Sequence, residues 1–136
     1  MKISTRTRYA LRFLVRLALA RPGTPLSLGL AAGKERISPK YLSRLVIPLR
    51  RAGLVVSSAG PLGGYRLAVP PDRIPVSAVM NLFERDAGLA PCLGAGEKCR
   101  LAPRCRTRRF WRSLDRDIAR RLDRTTIGDI ARGSPL

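Results

Sequence analysis

The sequence predicts a mainly α-helical chain with one small β-hairpin, closed by a long helix near its C-terminal end. Apolar residues recur at three- and four-residue spacing in the first twenty residues, after Ser38 and again after Cys105. Two short alternating runs, Leu54 to Ser58 and Tyr65 to Val69, flank a glycine-rich tip, Gly60-Pro61-Leu62-Gly63-Gly64. With 136 residues, 45% hydrophobic and 26% charged, the chain suits one folded unit that buries roughly two-thirds of its unfolded surface.

The first helix is read between Thr7 and Ala20. Ala10, Leu11, Leu14, Leu17 and Ala18 form its stripe, Arg8, Arg12, Arg16 and Arg21 lie largely off it, and Pro22-Gly23 ends it. A second helix follows Ser27 over Leu28 to Lys34, where Ala31 and Ala32 favour helix and Gly29 and Gly33 weaken it. Ser38-Pro39 is a capping serine with proline in the first helical position, a start signal for a third. Leu42, Leu45, Val46 and Leu49 are its buried stripe, Lys40, Ser43, Arg44, Ile47 and Arg51 lie on or near the other face, and Gly53 suits its end. Pro48 predicts a kinked or loosened last turn.

Helix, helix, capped helix and hairpin in this order are the elements of a winged helix-turn-helix over residues 1–69, with Pro70-Pro71 starting a linker. Residues 70–136 are then linker, cysteine loop and dimerisation helix. In a winged module the third helix enters the major groove and the hairpin tip lies beside it, near the backbone or minor groove. Lys40, Tyr41, Ser43 and Arg44 are the candidates for reading base edges, with Ser38 at the start of their helix. Tyr41 suits core-edge packing equally well. Lys2, Arg6, Arg8, Arg50 and Arg66 are the candidates for phosphates. Gly60, Pro61, Gly63 and Gly64 form the tip, where glycine lets backbone N–H groups approach a duplex.

Charge supports the same partner. Lys and Arg number 27 against nine acids, a formal charge of +18, and a pI near 11.7 marks a polyanion binder. Residues 1–68 hold thirteen Lys/Arg and a single acid, Glu35, against fourteen and eight in residues 69–136. There is no histidine, which removes Ser-His and Cys-His nucleophile pairs and the commonest general base, and no phosphate-cradling loop is present. An enzyme is not expected. No apolar run approaches the roughly 20 residues of a membrane span, since Arg12 and Arg16 interrupt the most apolar stretch, and the start lacks a secretion signal. A cytoplasmic location without membrane contact is expected.

All three cysteines, Cys92, Cys99 and Cys105, fall within fourteen residues, at spacings unlike zinc knuckles. A glycine-containing loop with three thiols suits a larger object than one ion, and Lys98, Arg100, Arg104, Arg106 and Arg108 would favour thiolates. An iron–sulfur cluster, 2Fe-2S or 4Fe-4S, fits such a donor set. A fourth ligand is open between Glu97, Asp86, Asp115, solvent and a small thiol. After Cys105, Phe110, Leu114, Ile118 and Leu122 repeat every four residues with Trp111 beside them, a helix of about five turns suited to a symmetric dimer interface. A two-fold pair of winged modules requires a pseudo-palindromic double-stranded operator.

Several separate motifs, in order, resemble the IscR/NsrR-type winged-helix transcription regulators. Met1-Lys2-Ile3-Ser4 with Arg8-Tyr9-Ala10 is similar to the family's start, and Ile37-Ser38 with Tyr41-Leu42 to its recognition helix. Leu49 to Val55 is similar to the junction with the wing, Gly60 to Tyr65 to the wing, and Thr126-Ile127-Gly128-Asp129-Ile130 to the closing element. The resemblance implies a homodimeric DNA-binding regulator whose long helix crosses to the partner subunit. It also implies a cluster on Cys92, Cys99 and Cys105 that answers iron, oxygen, nitric oxide or redox poise.

Departures accompany it. Arg108 stands where one branch has a ligand histidine, and Arg8 where the other has a ligand aspartate. Ala59 and Ser43 replace residues that touch or tune DNA in the family. Three alternatives stay open: zinc held by the thiols and an acid, a thiol–disulfide switch, and a basic RNA-binding protein.

Overall fold

A computed structural model describes residues 3–84, 88–94 and 99–134. Helix α1, Thr5–Ala18, starts earlier than the apolar stripe alone indicates because the Ser4 hydroxyl accepts the Thr7 N–H at 3.2 Å. It buries Thr7, Ala10, Phe13, Leu14 and Leu17 and ends at Leu19, ahead of the Pro22-Gly23 stop. Helix α2, Leu28–Glu35, is capped by Ser27, whose hydroxyl accepts the Leu30 N–H at 3.2 Å. Its last residue, Glu35, is the single acid of the basic half and is only 6% exposed.

Glu35 ties α2 to α1. Its carboxylate accepts Arg12 Nε at 2.7 Å and Arg16 Nη2 at 2.8 Å, and Arg12 Nη2 donates to the Glu35 carbonyl at 2.7 Å. Burial pulls the Glu35 carboxyl upward, and hydrogen bonds from Arg16 and Arg12 outweigh it, holding the group below its ordinary value.

Helix α3, Pro39–Arg51, begins as the serine-proline signal predicts, with the Ser38 hydroxyl accepting the Tyr41 N–H at 3.1 Å. Pro48 does not break it: the helix runs on to Arg51, and the Ala52 N–H still reaches the Pro48 carbonyl at 3.0 Å. Proline deletes a single hydrogen bond in the last turn, while Leu45, Val46 and Leu49, all buried, hold that turn against the core.

Strands β1, Val55–Ser58, and β2, Gly64–Leu67, pair antiparallel with Val55 opposite Leu67 and Ser58 opposite Gly64. The tip is a turn closed by the Gly63 N–H on the Gly60 carbonyl at 2.9 Å. Tyr65 exchanges two backbone hydrogen bonds with Leu26, at 2.8 and 2.9 Å, so the chain entering α2 lies along β2. Gly64 is required there: its φ is +155°, and a Cβ would lie 2.4 Å from the Leu26 carbonyl oxygen.

Beyond Pro70-Pro71 the chain makes a short 3-10 turn, Pro71–Arg73, and helix α4, Val76–Phe83, where only a linker is expected from Pro70-Pro71. Val76, Val79, Met80 and Phe83 stand at i, i+3, i+4 and i+7 and form its buried stripe, but the run is only eight residues long and its N-cap is a proline with no side-chain bond, so no start signal marks it. Helix α5, Arg106–Arg124, packs on α4, and α6, Ile127–Arg132, opens with a Thr126–Asp129 capping box. Backbone bonds from Val76 N–H to the Thr125 carbonyl at 2.8 Å, and from Ile127 N–H to the Ile74 carbonyl at 2.9 Å, pin α6 beside α4.

Phe13, Leu14, Leu42, Leu49, Val55, Ile74, Val79, Phe83 and Ile127 belong to one core, which draws on both sides of Pro70. The start of α1 is fastened to the end of α4, since Glu84 Oε1 accepts the Ser4 N–H at 2.8 Å and also the Thr7 hydroxyl.

Candidate DNA-binding surface and cysteine segment

With Leu42, Leu45, Val46 and Leu49 turned into the core, α3 turns Lys40, Arg44, Ile47, Arg50 and Arg51 outward, all exposed. Arg44 shares a cleft of about 680 Å3 with Arg6 and Tyr41, floored by Leu45, Pro48, Leu82 and Phe83. The fold therefore brings an arginine from the start of α1 to one from the middle of α3. Arg50 and Arg51 line a second groove of about 540 Å3 with Ile47, Val55, Val56 and Ser57. Arg66 and Arg21 line a third, beside Pro70.

Other candidates are placed differently. Tyr41 is half-buried and sets its ring edge-on to Tyr9, with centroids 5.9 Å apart and planes at 84°. Ser43 donates its hydroxyl to the Lys40 carbonyl at 2.8 Å, which commits its proton to its own helix. The Ser38 oxygen is the cap of α3. Arg8 does not join the Arg6–Arg44 cleft. Two residues along a helix is a turn of about 200°, and Arg8 lies over a groove of about 450 Å3 that includes Leu11, Val15, Leu19 and Ile130. Lys2 lies outside the described residues.

At the tip, Gly60 and Pro61 are exposed and Gly63 and Gly64 half-buried. Leu62 between them is 91% exposed. It is not among the predicted DNA-binding residues: a single exposed leucine is ordinary on a protein surface, and its place at the hairpin tip beside Gly60 and Pro61 is what brings it to the candidate surface. Arg51 is likewise outside the predicted phosphate set, despite lying on the outward face.

Cys92 sits half-buried in a 3-10 turn, Pro91–Leu93, Cys99 is exposed at the start of a turn, and Cys105 precedes α5 as its N-cap. The three thiols are free. Arg108 Nε donates to the Cys92 carbonyl at 3.3 Å and so links the turn to α5. The Cys105 sulfur lies 3.2 Å from the Thr107 hydroxyl. That hydroxyl and the Arg108 backbone N–H hold the Cys105 thiol below its ordinary value.

Three soft sulfur donors suit a thiolate-held cluster in chemistry. Among the described residues, however, no three of the Cys, Asp and Glu side chains are gathered closely enough to hold a metal ion. Separate turns and the start of α5 place the three cysteines. Of the carboxylates considered for a fourth ligand, Asp115 accepts the Leu89 N–H at 3.0 Å, while Asp86 and Glu97 lie outside the described residues. The arginines at positions 8 and 108 are donors only and cannot ligate.

The Rrf2 family, described as an iron-dependent transcriptional regulator, matches residues 3–133. The HTH-type transcriptional regulator IscR of Aliivibrio salmonicida is 36% identical over 130 residues, covering 96% of this chain and 77% of that protein. Among solved structures, CymR (YrzC), the global cysteine regulator of B. subtilis, superposes with a TM-score of 0.83 at 33% identity, over 99% of each chain. The T. potens IscR structure gives 0.78 at 29% identity, over 98% of this chain and 88% of that one. These similar proteins are regulators and not enzymes, in accord with the expectation drawn from the missing histidine. No helix among the described residues is long and apolar enough to cross a membrane.

Proposed function

Because the chain belongs to the Rrf2 family of transcriptional regulators, we propose that it is a homodimer reading a pseudo-palindromic operator, with binding controlled at Cys92, Cys99 and Cys105 by an iron–sulfur cluster. One observation carries the DNA reading: a serine-capped helix presents Lys40 and Arg44 outward, with Arg6 brought to the same cleft. Lys40 and Arg44 would meet base edges in the major groove, and Arg6, Arg50, Arg51 and Arg66 the flanking phosphates. The hairpin tip would lie at the adjacent minor groove.

Dimerisation rests on two uncovered apolar faces. No residue of α5 is buried, with Phe110 59% and Trp111 38% exposed, while Leu19 at 58% stands on the groove of α1 and α6. A two-fold axis would cover the α5 stripes of both copies and bring each against the partner's groove of Leu11, Val15, Leu19 and Ile130. Arg8 on that groove then belongs to the interface and not to the phosphate set.

When bound, a thiolate-held cluster supplies a charge and a ligand set that change with iron supply and redox state. In this chain Cys92, Cys99 and Cys105 would hold it, and the Thr107 hydroxyl and the Arg108 backbone N–H favour the thiolate of Cys105. Glu84 supports a path to DNA: it stands eight residues before Cys92 in sequence and grips Ser4 and Thr7, at the start of the helix that carries Arg6.

A second reading of the same segment is a thiol switch, favoured by the lowered Cys105 thiol, in which a two-electron oxidant joins Cys105 to Cys92 or Cys99 as a disulfide. Selection of binding sites from random duplexes tests the DNA reading. A two-fold symmetric motif that Arg44→Ala relaxes or loses supports it, and no enrichment over random RNA refutes it. Iron, sulfide and zinc analysis of protein purified without oxygen separates cluster from zinc. Serine variants at each cysteine separate both from the disulfide.

A further inference from the structure

Helix α5 is far more basic than a dimer interface needs. Over Arg106–Arg124 it carries eight arginines and three aspartates. Of the aspartates, Asp115 is bonded inward to the Leu89 N–H, Asp117 pairs with Arg120, and Asp123 is exposed beyond Arg120, at the C-terminal end of the same face. Arg109, Arg112 and Arg116 are exposed and make no ion pair among the described residues. Spaced three and four residues apart, they share one face of the helix with Arg120, over about 16 Å of axis.

That face lies apart from the half-buried Leu114, Ile118 and Leu122. At its N-terminal end, Arg109 and Arg112 join Arg104, Arg106 and Arg108 around a cleft of about 470 Å3 that no acid lines. Like charges four residues apart, as at Arg112 and Arg116, work against a helix in water. A polyanion laid along the face reverses the sign of that effect.

We propose that this face of α5 is a second, sequence-independent phosphate-binding surface, which takes a stretch of duplex DNA backbone other than the one held by α3 and the hairpin. Charge complementarity selects the occupant's chemistry, an extended row of phosphates. An anionic membrane is the poorer match, because an interfacial helix must offer a free apolar face beside its basic one, and the apolar side of α5 is half-buried at Leu114, Ile118 and Leu122 and, in the dimer proposed above, covered at Phe110 and Trp111. The proposal uses the DNA-binding reading only to choose duplex DNA among polyanions.

The test uses the full chain and a mixed-sequence duplex of about four helical turns carrying photoreactive groups on its backbone. Cross-linked peptides are mapped by mass spectrometry, and affinity is followed against salt. Two labelled regions are expected, α3 with the hairpin, and α5 from Arg109 to Arg120. In R109Q/R112Q/R116Q the α5 labels vanish and those on α3 persist. The slope of log affinity against log salt falls by about 2 to 3, at roughly 0.9 for each phosphate that the variant no longer neutralises. The variant removes like-charge repulsion within α5, so its fold is retained.

An α5 that stays unlabelled while α3 is labelled overturns the proposal, as does an unchanged salt slope in the triple variant. Protection of α5 by anionic lipid vesicles, with no labelling by the duplex, overturns it as well. Labelling of α5 without α3 or the hairpin leaves this surface standing and removes the winged-module reading instead.

Discussion

Replacing Glu35 by alanine removes the acceptor that joins α2 to α1. Its carboxylate takes Arg12 Nε at 2.7 Å and Arg16 Nε and Nη2 at 2.9 and 2.8 Å, bonds of the charge-assisted kind worth about 1.5–3 kcal/mol each when desolvated. Arg12 and Arg16 remain 48% and 34% exposed, so water recovers much of their loss, and the pair energies must be discounted accordingly. The expected cost is about 2–3 kcal/mol for Glu35→Ala and about 1–2 kcal/mol for Glu35→Gln, which keeps volume and one acceptor. At roughly 3–5 °C per kcal/mol for a chain of this size, the alanine variant should melt about 6–15 °C lower.

The pH dependence has a definite sign. A carboxyl held below its ordinary 4.5 in the fold contributes stability that is complete above that value and is lost as pH falls through the folded pKa. The wild type should therefore lose stability on acidification from about pH 4.5 downward, and Glu35→Gln should lose less over the same range. Thermal melts followed by circular dichroism at pH 7 and across the acid range measure both effects. An alanine variant melting with the wild type, or a glutamine variant with the same acid slope, would refute the role given to this network.

Gly64→Ala should cost about 2–4 kcal/mol, from a strained φ and two broken Leu26–Tyr65 bonds, and a melting temperature within 2 °C of wild type, about half a kcal/mol, would show that the Leu26 segment gives way. Leu62→Gly removes a 91% exposed side chain at the hairpin tip, so stability should hold within about 0.5 kcal/mol while duplex affinity drops, as measured by fluorescence anisotropy. Equal affinities would take the tip out of the interface. Phe110→Asp with Trp111→Asp places two charges on the uncovered end of the α5 stripe and should yield monomers in sedimentation equilibrium; an intact dimer would move the interface elsewhere.

Local chemistry made several elements legible in the sequence. The Ser27 cap, the Ser38-Pro39 start, the stripe of Leu42, Leu45, Val46 and Leu49, the hairpin tip and the long helix after Cys105 each depend on residues within a few positions of one another. Order and spacing alone therefore yield helices α1, α2, α3 and α5, the hairpin and an outward basic face on α3. The short helix α4 is not as plainly legible: Val76, Val79, Met80 and Phe83 stand at helical spacing, but over eight residues and behind a proline that offers no capping side chain. Nor is Ser4 as the cap of α1, because the apolar stripe begins later.

Tertiary structure decided which separated residues meet. Arg6 reaches the Arg44 cleft while Arg8, two residues on, is carried to the α1–α6 groove, since a helix turns about 100° per residue and only packing fixes its rotation. Tyr65 meets Leu26, Ile74 meets Ile127 and Glu84 meets Ser4 and Thr7 across as many as 80 residues of chain. The placement of Cys92, Cys99 and Cys105 on separate turns was equally hidden, because their even spacing in sequence says nothing of the turns between. Periodicity records which side of an element seeks the core; where that core lies, and what shares it, follows from contacts between residues distant along the chain.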